Sequence, residues 1–405
     1  MSKVITDKEK INEVLTRGVE EVIVKENLGK RMLAGKPLRI KLGIDPTGSV
    51  LHLGHAVVLR KLKGFQDLGH QVIFLIGDFT ARIGDPTGRS ATRKPLTDKE
   101  ISDNMKSYQE QAGLILDMKK VEVRHNSEWL DKLDFKELII LSSKVTYAQV
   151  SQRADFKERI KNDQDLSLQE FLYPVMQGYD SVALKADVEI GGTDQKFNLL
   201  MGRQLQKRYD QEPQEIITCQ LLEGLSGGDK MSKSLNNYIS LTEKPEEMYG
   251  KIMSLTDDLI VRYFELCTDL TSADIKTVKD ELKGGKVNPR DLKMRLAHEI
   301  VEIYHGPKPS EAAEEYFVRT IQRKELPEEF ETIFVSGAPH TTTTLLSVSG
   351  MASSKSEARR LVQGRGVKID GEVVVDADKE IKIGDEGIII QKGKRGVVKV
   401  KKNKK

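Results

Sequence analysis

Residues 38–62 read LRIKLGIDPTGSVLHLGHAVVLRKL, and the order of these side chains decides the fold. LRIKLGI, residues 38–44, predicts a short strand that Asp45-Pro46 ends. From Leu53 the apolar positions predict a helix as far as Leu68, where Gly69 closes it. The run QVIFLIG, residues 71–77, is apolar throughout, as a strand covered on both faces requires. Strand, helix and strand at this spacing indicate a right-handed crossover and therefore a parallel sheet.

Working outward, residues 11–34 are predicted as helix from Ile11, Val14, Leu15, Val19, Val22 and Ile23. Residues 97–170 read as mostly helical, with a short strand at VEVRH (121–125), so a helical insertion in the sheet is expected there. Sheet signals return at DVEIGG (187–192) and EIITCQLL (215–222), with a helix from about Asp194 to Arg208 between them. Residues 244–325 read as helices broken at GGKVNPR and HGPKPS. SGAPHTTTT (336–344) reads as a linker, and from Leu345 two helices precede short strands. No repeat of fixed period is visible.

Composition narrows the function. No window holds eighteen consecutive apolar residues, and the N-terminus is too charged for a signal peptide. A soluble, cytoplasmic protein with no membrane partner is expected. Cys219 and Cys267 are the only cysteines and have no metal-ligand spacing, so neither a disulfide framework nor a structural zinc is expected. The net charge of +3 is uneven: residues 352–405 carry 15 basic and 8 acidic side chains, or +7, which leaves −4 for the rest. A basic end on a mildly acidic body suits a docked polyanion.

Two motifs carry chemistry. His52 and His55 lie three apart at the start of a helix, where unpaired N–H groups and a partial positive charge attract phosphate. An imidazole there can donate to a phosphate oxygen without the permanent charge of lysine. Taken alone, H-x-x-H is more often an ordinary pair of histidines, and metal ligation stays open. The second motif, GGDKMSKSLNN (227–237), puts Lys230 and Lys233 in a Gly/Ser-rich loop able to follow a triphosphate. Further along, YPVMQGYDS places Tyr173, Gln177 and Asp180 on one helical face, and GGTDQKFN presents Gly192, Asp194 and Gln195 after a strand. Such a polar stripe facing a sheet crevice is expensive unless a ligand or water satisfies it.

H-L-G-H and K-M-S-K-S on a doubly wound pattern resemble the class I aminoacyl-tRNA synthetases. Together with GIDPT, IGDPTGRS, YPVMQGYDS and GGTDQKFN in the same order, the resemblance is to the tyrosyl-tRNA synthetase family. It implies an α/β, Rossmann-like doubly wound parallel sheet as the catalytic domain (1–243), with the helical insertion at about 97–170 and the KMSKS loop at 227–237. An α-helical domain (244–335), the linker (336–344) and a small α+β S4-like RNA-binding domain (345–405) follow. The implied activity joins L-tyrosine to ATP as tyrosyl-adenylate, releases pyrophosphate, and passes the tyrosyl group to tRNA(Tyr). Magnesium accompanies ATP, no dedicated metal site is implied, and a homodimer through roughly 97–165 is expected.

By the same resemblance, Asp85, Tyr173 and Gln177 hold the substrate ammonium, Asp180 accepts from the phenol hydroxyl, and Gln195 lines the amino-acid pocket. Gly43, Asp45, Gly192 and Asp194 face the nucleotide or adenylate. Thr47, His52 and His55 meet the phosphates, with Lys230 and Lys233 from the loop and Arg89, with Arg93, from GDPTGRSATRKP. Some family members have tyrosine where this chain has Lys41; Lys41 is then a phenol contact, a partner of Asp180 or another carboxylate, or solvent-facing. Lys355, Arg359, Arg360 and Arg365 are the expected RNA contacts, on a helix that Ser353 or Ser354 caps, beside a hairpin turning at Asp370-Gly371. The alternatives are a tryptophanyl-tRNA synthetase, a nucleotidylyltransferase, and a non-catalytic RNA-binding protein on a synthetase scaffold.

Overall fold

The computed structural model describes residues 3–87, 96–285, 287–322, 331–336, 340–393 and 396–403. The chain divides into two compact units, Met1–His305 and Gly306–Lys405.

The first unit is built on a six-stranded sheet. Its strands are β1 (Val19–Ile23), β2 (Arg39–Ile44), β3 (Gln71–Ile76), β4 (Val121–His125), β5 (Val188–Gly192) and β6 (Glu215–Cys219). Their order across the sheet is β1-β6-β5-β2-β3-β4. From β2 the chain winds outward through β3 and β4; from β5 it winds the opposite way through β6. The order therefore reverses between β2 and β5, and a crevice opens beyond their C-terminal ends. Helix α3 (Leu53–Asp67) makes the predicted crossover from β2 to β3.

One expectation fails here. Residues 11–34 are not a continuous helix. They form α1 (Lys8–Thr16), strand β1 and α2 (Lys25–Leu33). Gly18 takes φ +62 and breaks the helix, and the β-branched run Val19, Val22, Ile23 pairs antiparallel with β6. The sheet is thus mixed, with one antiparallel edge strand on five parallel ones.

The insertion after β3 contains α4 (Asp98–Ala112), edge strand β4 and short helices that lead to the helix Leu168–Leu184. That helix starts at a capping box of Ser167 and Glu170 and packs along the helix Lys196–Arg208. Helices Pro245–Met253, Ile260–Cys267, Ser272–Lys283 and Pro289–His305 belong to this first unit.

The second unit opens with helix Pro307–Phe317 and carries a five-stranded sheet. Its strand Glu331–Val335 pairs in parallel with Gly396–Lys402, so the small module draws on residues before 345. Within the expected linker, residues 337–339 lie outside the described residues, while His340–Thr341 pairs with Glu380–Ile381 and Thr341 caps the helix Thr342–Val348. Ile369 and Glu372 pair across the turn at Asp370-Gly371, where φ is +49 and +85, as a tight two-residue hairpin demands. Leu346, Ala358, Val362, Val367 and Ile390 form the core of this unit.

Candidate active site

The crevice between β2 and β5 holds a cavity of about 340 Å³. Glycines lie near the carboxyl ends of both strands, Gly43 one residue before the end of β2 and Gly191-Gly192 closing β5, so backbone lines the cavity there without side-chain bulk. The helix Leu168–Leu184 supplies Tyr173, Gln177 and Asp180 to one wall, at the spacing the sequence implies.

The closed end is a carboxylate. Asp180 is 2% exposed. Its Oδ1 accepts from Trp129 Nε1 at 2.8 Å, and its Oδ2 from Asn126 Nδ2 at 3.4 Å. Burial pushes its pKa up from 3.8 to about 7; the nearby Lys41 ammonium and the two donors oppose that rise, and Glu189 adds to it.

The middle of the cavity is a hydrogen-bonded set. Tyr173 donates its hydroxyl to Asp45 Oδ2 at 2.8 Å, and Thr80 donates to Asp45 Oδ1 at 2.7 Å. Burial, then the Asp45 and Asp85 carboxylates, raise the Tyr173 pKa well above its ordinary value, so the hydroxyl keeps its proton. Gln195 Nε2 donates to Asp85 Oδ2 at 2.7 Å, and Arg153 Nη2 lies 3.2 Å from Asp85 Oδ1. Gln177 Nε2 points at Glu189 Oε1, 3.4 Å away. That contact sets the amide so that its oxygen is left for a cationic ligand.

The mouth carries the two motifs. His52 is the N-cap of α3, and its backbone N–H donates to His55 Nδ1 at 3.2 Å. A neutral His55 that accepts at Nδ1 carries its proton on Nε2 and is a donor there. The two rings lie 3.8 Å apart, centroid to centroid. Burial first, and Lys233 second, lower the His52 pKa to about 3; burial, His52 and Lys233 put His55 well below its ordinary value. Both rings are therefore uncharged at neutral pH. Lys230 Nζ lies 2.6 Å from Asp194 Oδ2, which brings the loop over the β5 side of the cavity. Between the two lysines, the buried Met231 packs near Gly54 of α3.

Gly43, Asp45, Thr47, His55 and Lys230 line this one cavity with Asp85, Gln195, Gly192, Asp194 and the three residues of the Tyr173 helix. Three expected residues stand elsewhere. His52 is not part of the cavity wall, and its ring lies against that of His55. Lys233 donates to Val50 O at 3.1 Å and to Tyr108 Oη at 3.3 Å, beside the cavity rather than in its wall. Lys41 is neither a cavity wall nor solvent-facing: it is fully buried and paired with Glu189 at 2.9 Å. Arg89 and Arg93 lie outside the described residues. In the second unit, Ser354 caps the helix Lys355–Gln363, which carries Arg359 and Arg360; Arg359 pairs with Asp378, and Arg365 follows the helix at φ +55.

Sequence reasoning missed Thr80, Asn126, Trp129, Arg153 and Glu189. HNSEWL, directly after the strand VEVRH, holds Asn126 and the single tryptophan of the chain. A polar residue at the carboxyl end of a parallel strand is the signal that could have found Asn126. A carboxylate within DVEIGG and a lysine within LRIKLGI were the corresponding signals for a buried pair.

Residues 33–322 match the family model described as tRNA synthetases class I (W and Y), and residues 344–386 match that of the S4 domain. The chain belongs to the class I tRNA synthetases of the W and Y family. Among curated relatives, the tyrosine–tRNA ligase of Moorella thermoacetica is 50% identical over 386 residues, covering 94% of this chain and 93% of that one. The tyrosine–tRNA ligase of Thermotoga maritima is 49% identical over 382 residues, covering 94% and 95%. A solved tyrosyl-tRNA synthetase from Archaeoglobus fulgidus, complexed with L-tyrosine, superposes at a TM-score of 0.63 and 22% identity over 76% of this chain and 100% of that one, a likeness of fold. No helix among the described residues is long and apolar enough to cross a membrane.

The buried carboxylate has a thermodynamic signature. Because the folded pKa of Asp180 lies above its ordinary value, protonation favours the fold. The cost of the charge is absent near pH 4, grows as pH rises, and is complete above about 7. Asp180→Asn, which cannot ionise, should therefore be more favourable to stability at pH 8 than at pH 4. Denaturant unfolding at the two pH values checks this; an equal effect at both would contradict it.

Proposed function

We propose that the chain is a tyrosine–tRNA ligase, which activates L-tyrosine with ATP and charges tRNA(Tyr). The observation that carries this reading is the closed cavity end: a buried carboxylate, flanked by the Trp129 and Asn126 donors, waiting for one more hydrogen-bond donor. A phenol hydroxyl supplies that donor. Phenylalanine leaves the carboxylate buried and short of a partner, which costs about 1–3 kcal/mol or more. The curated relatives named above support the same substrate.

In this reading the tyrosine ammonium lies among Asp85, Tyr173 and the Gln177 amide oxygen, and its ring runs inward to Asp180. Its carboxylate then faces the mouth, where ATP brings its α-phosphorus. The carboxylate oxygen attacks phosphorus, the bond to the β-phosphate oxygen breaks, and pyrophosphate leaves. Positioning and charge stabilisation carry such a step, with little need of proton transfer. His55 Nε2–H and the backbone N–H groups at the start of α3 are fixed donors for charge that develops on the phosphate oxygens. Their neutrality lets them favour the transition state without gripping the ground-state triphosphate as cations would. Lys230 and Lys233 supply positive charge from the loop, and Lys230 leaves Asp194 as the nucleotide takes that carboxylate. Gly43, Asp45 and Gly192 flank the nucleoside. Mg²⁺ arrives with ATP, on the phosphate oxygens. The basic helix with Lys355, Arg359 and Arg360, together with Arg365 just after it, holds tRNA through phosphates and 2′-hydroxyls. These substrates belong to translation and imply the cytoplasm.

The homodimer reading rests on apolar side chains left in the open. Phe135 is 79% exposed, Leu168 is 82% exposed, and Ile139, Ile140 and Tyr147 are also exposed. They lie on or beside helix Phe135–Ser143, which packs on the helix Leu168–Leu184. An exposed apolar face of this kind suits a second copy of the same surface.

ATP–pyrophosphate exchange with each amino acid in turn tests the activity: tyrosine should support it, and exchange with tryptophan alone would reverse the assignment. In the same assay, His52→Ala or His55→Ala should lower the activation rate by about 10²-fold or more, with tyrosine and ATP affinities changed only a few-fold. Equal losses in affinity would remove the transition-state role. A chain ending at Gln322, where the synthetase match stops, should keep exchange and lose tRNA charging; full charging would make the C-terminal module dispensable. Light scattering should give twice the chain mass for the parent and a monomer for Phe135→Glu/Ile139→Lys, whereas an unchanged mass would place the interface elsewhere.

A further inference from the structure

Beside the cavity lies a buried charge pair, of which only Glu189 lines it, and to which the reaction above gives no part. Lys41 on β2 and Glu189 on β5 are register partners in neighbouring parallel strands. Lys41 Nζ lies 2.9 Å from Glu189 Oε1, and the side chains are 0% and 1% exposed. A pair so deep adds little to stability, because desolvation offsets the attraction, and apolar residues of similar size often serve as well. The fold alone does not call for it.

Its hydrogen bonds lead to the substrate side. Lys41 also donates to Ser181 Oγ at 2.8 Å and to Gln177 O at 3.3 Å, on either side of Asp180 along one helix. Glu189 Oε2 accepts from Ser181 Oγ at 3.0 Å and from Gln214 Nε2 at 2.5 Å. Glu189, Gln177 and Asp180 all line the cavity. The cluster fits because residue 202 is glycine: a Cβ there would lie 2.7 Å from Gln214 Nε2 and 2.8 Å from Ser181 Oγ. The charges that act on Asp180 are those of Lys41 on β2 and Glu189 on β5, and the neutral donors Asn126 and Trp129 from the segment after β4 contact it. Tyr173 shares the helix of Asp180, with Asp45 and Asp85 beyond it. Lys41 is thus the one cation among these groups, and Glu189 is what anchors it.

We propose that the Lys41–Glu189 pair is a positioning device for hydroxyl selection, in which the anchored Lys41 ammonium holds Asp180 in the ionised form that accepts a hydrogen bond from tyrosine. This rests on the tyrosine-ligase reading. Lys41 and Glu189 act through Asp180 and do not touch the phenol.

The two partners have opposite signs. Loss of Lys41 removes the charge that favours the Asp180 carboxylate, whereas neutralising Glu189 removes a charge that opposes it. The tyrosine KM in pyrophosphate exchange should fall as pH rises through the Asp180 titration, in a range below the titration of the tyrosine phenol. Lys41→Met should move the midpoint of that profile up by about one pH unit, raise KM at pH 7 about fivefold, and lower the preference for tyrosine over phenylalanine. Glu189→Gln should move the midpoint down. Lys41→Met alone leaves a buried carboxylate without its partner and risks misfolding. The double variant Lys41→Met/Glu189→Leu removes that risk: its melting temperature should return towards the parent value while its midpoint lies above the parent's but below that of Lys41→Met, because Lys41 acts on Asp180 more strongly than Glu189 does. A double variant that recovers both stability and the parent midpoint makes the pair structural and overturns the proposal. So do midpoints that move the same way in Lys41→Met and Glu189→Gln. A parent chain without tyrosine-dependent exchange fails the functional reading itself; exchange with unmoved midpoints in the variants fails this proposal alone.

Discussion

The site depends on β2 and β5 lying side by side with the same polarity. Both strands deliver their carboxyl ends to one edge of the sheet, and the chain leaves that edge in opposite directions through α3 and through the helix Lys196–Arg208. No side chain is needed to open the crevice; it follows from the reversal of strand order. The adjacency also fixes the register that sets Lys41 against Glu189. A slip of one residue in either strand would turn its charge to the other face of the sheet and dismantle the pair.

Around that crevice, polar groups become more exposed from the floor to the mouth. Asp180 and Glu189 are buried, Tyr173 and Gln195 are hydrogen-bonded within the wall, and Lys230 and Asp194 reach solvent. An aromatic amino acid matches this order, with an apolar ring between a hydroxyl for the floor and charged groups for the mouth. The histidines stand at the mouth, at the start of α3. Lysines at those positions would bring permanent charge to a buried helix start. Imidazoles whose pKa values burial has depressed keep donor geometry without that cost.

Much of this was legible in the sequence, for identifiable reasons. A crossover helix between two apolar strands has a strong period, so β2, α3 and β3 could be read to within about a residue. Tyr173, Gln177 and Asp180 could be grouped because helical spacing alone puts them on one face. The run from Val19 to Ile23 misled because its apolar spacing also suits a helix; Gly18 and antiparallel pairing with a strand some 200 residues away decide it. Long-range pairing also hid the membership of Glu331–Val335 in the second unit. Asn126, Trp129 and Arg153 were missed because each reaches the cavity from the insertion, and no local period connects them to it.

The missed residues share a property that explains both their silence and their importance. Each missed donor completes the hydrogen bonds of a carboxylate that the motifs already contain: Asn126 and Trp129 for Asp180, Arg153 for Asp85, Thr80 for Asp45. A motif names the group that meets the ligand, but a carboxylate in a closed cavity holds its place and its charge only if neighbours donate to it. Those donors come from whatever element the fold brings near. Their identity is therefore set by tertiary structure, and a related chain can supply the same donation from another position. Lys41 shows that logic from behind the cavity wall: the need there is a polar group near Asp180, and the lysine meets it because β5 offers Glu189 to hold it.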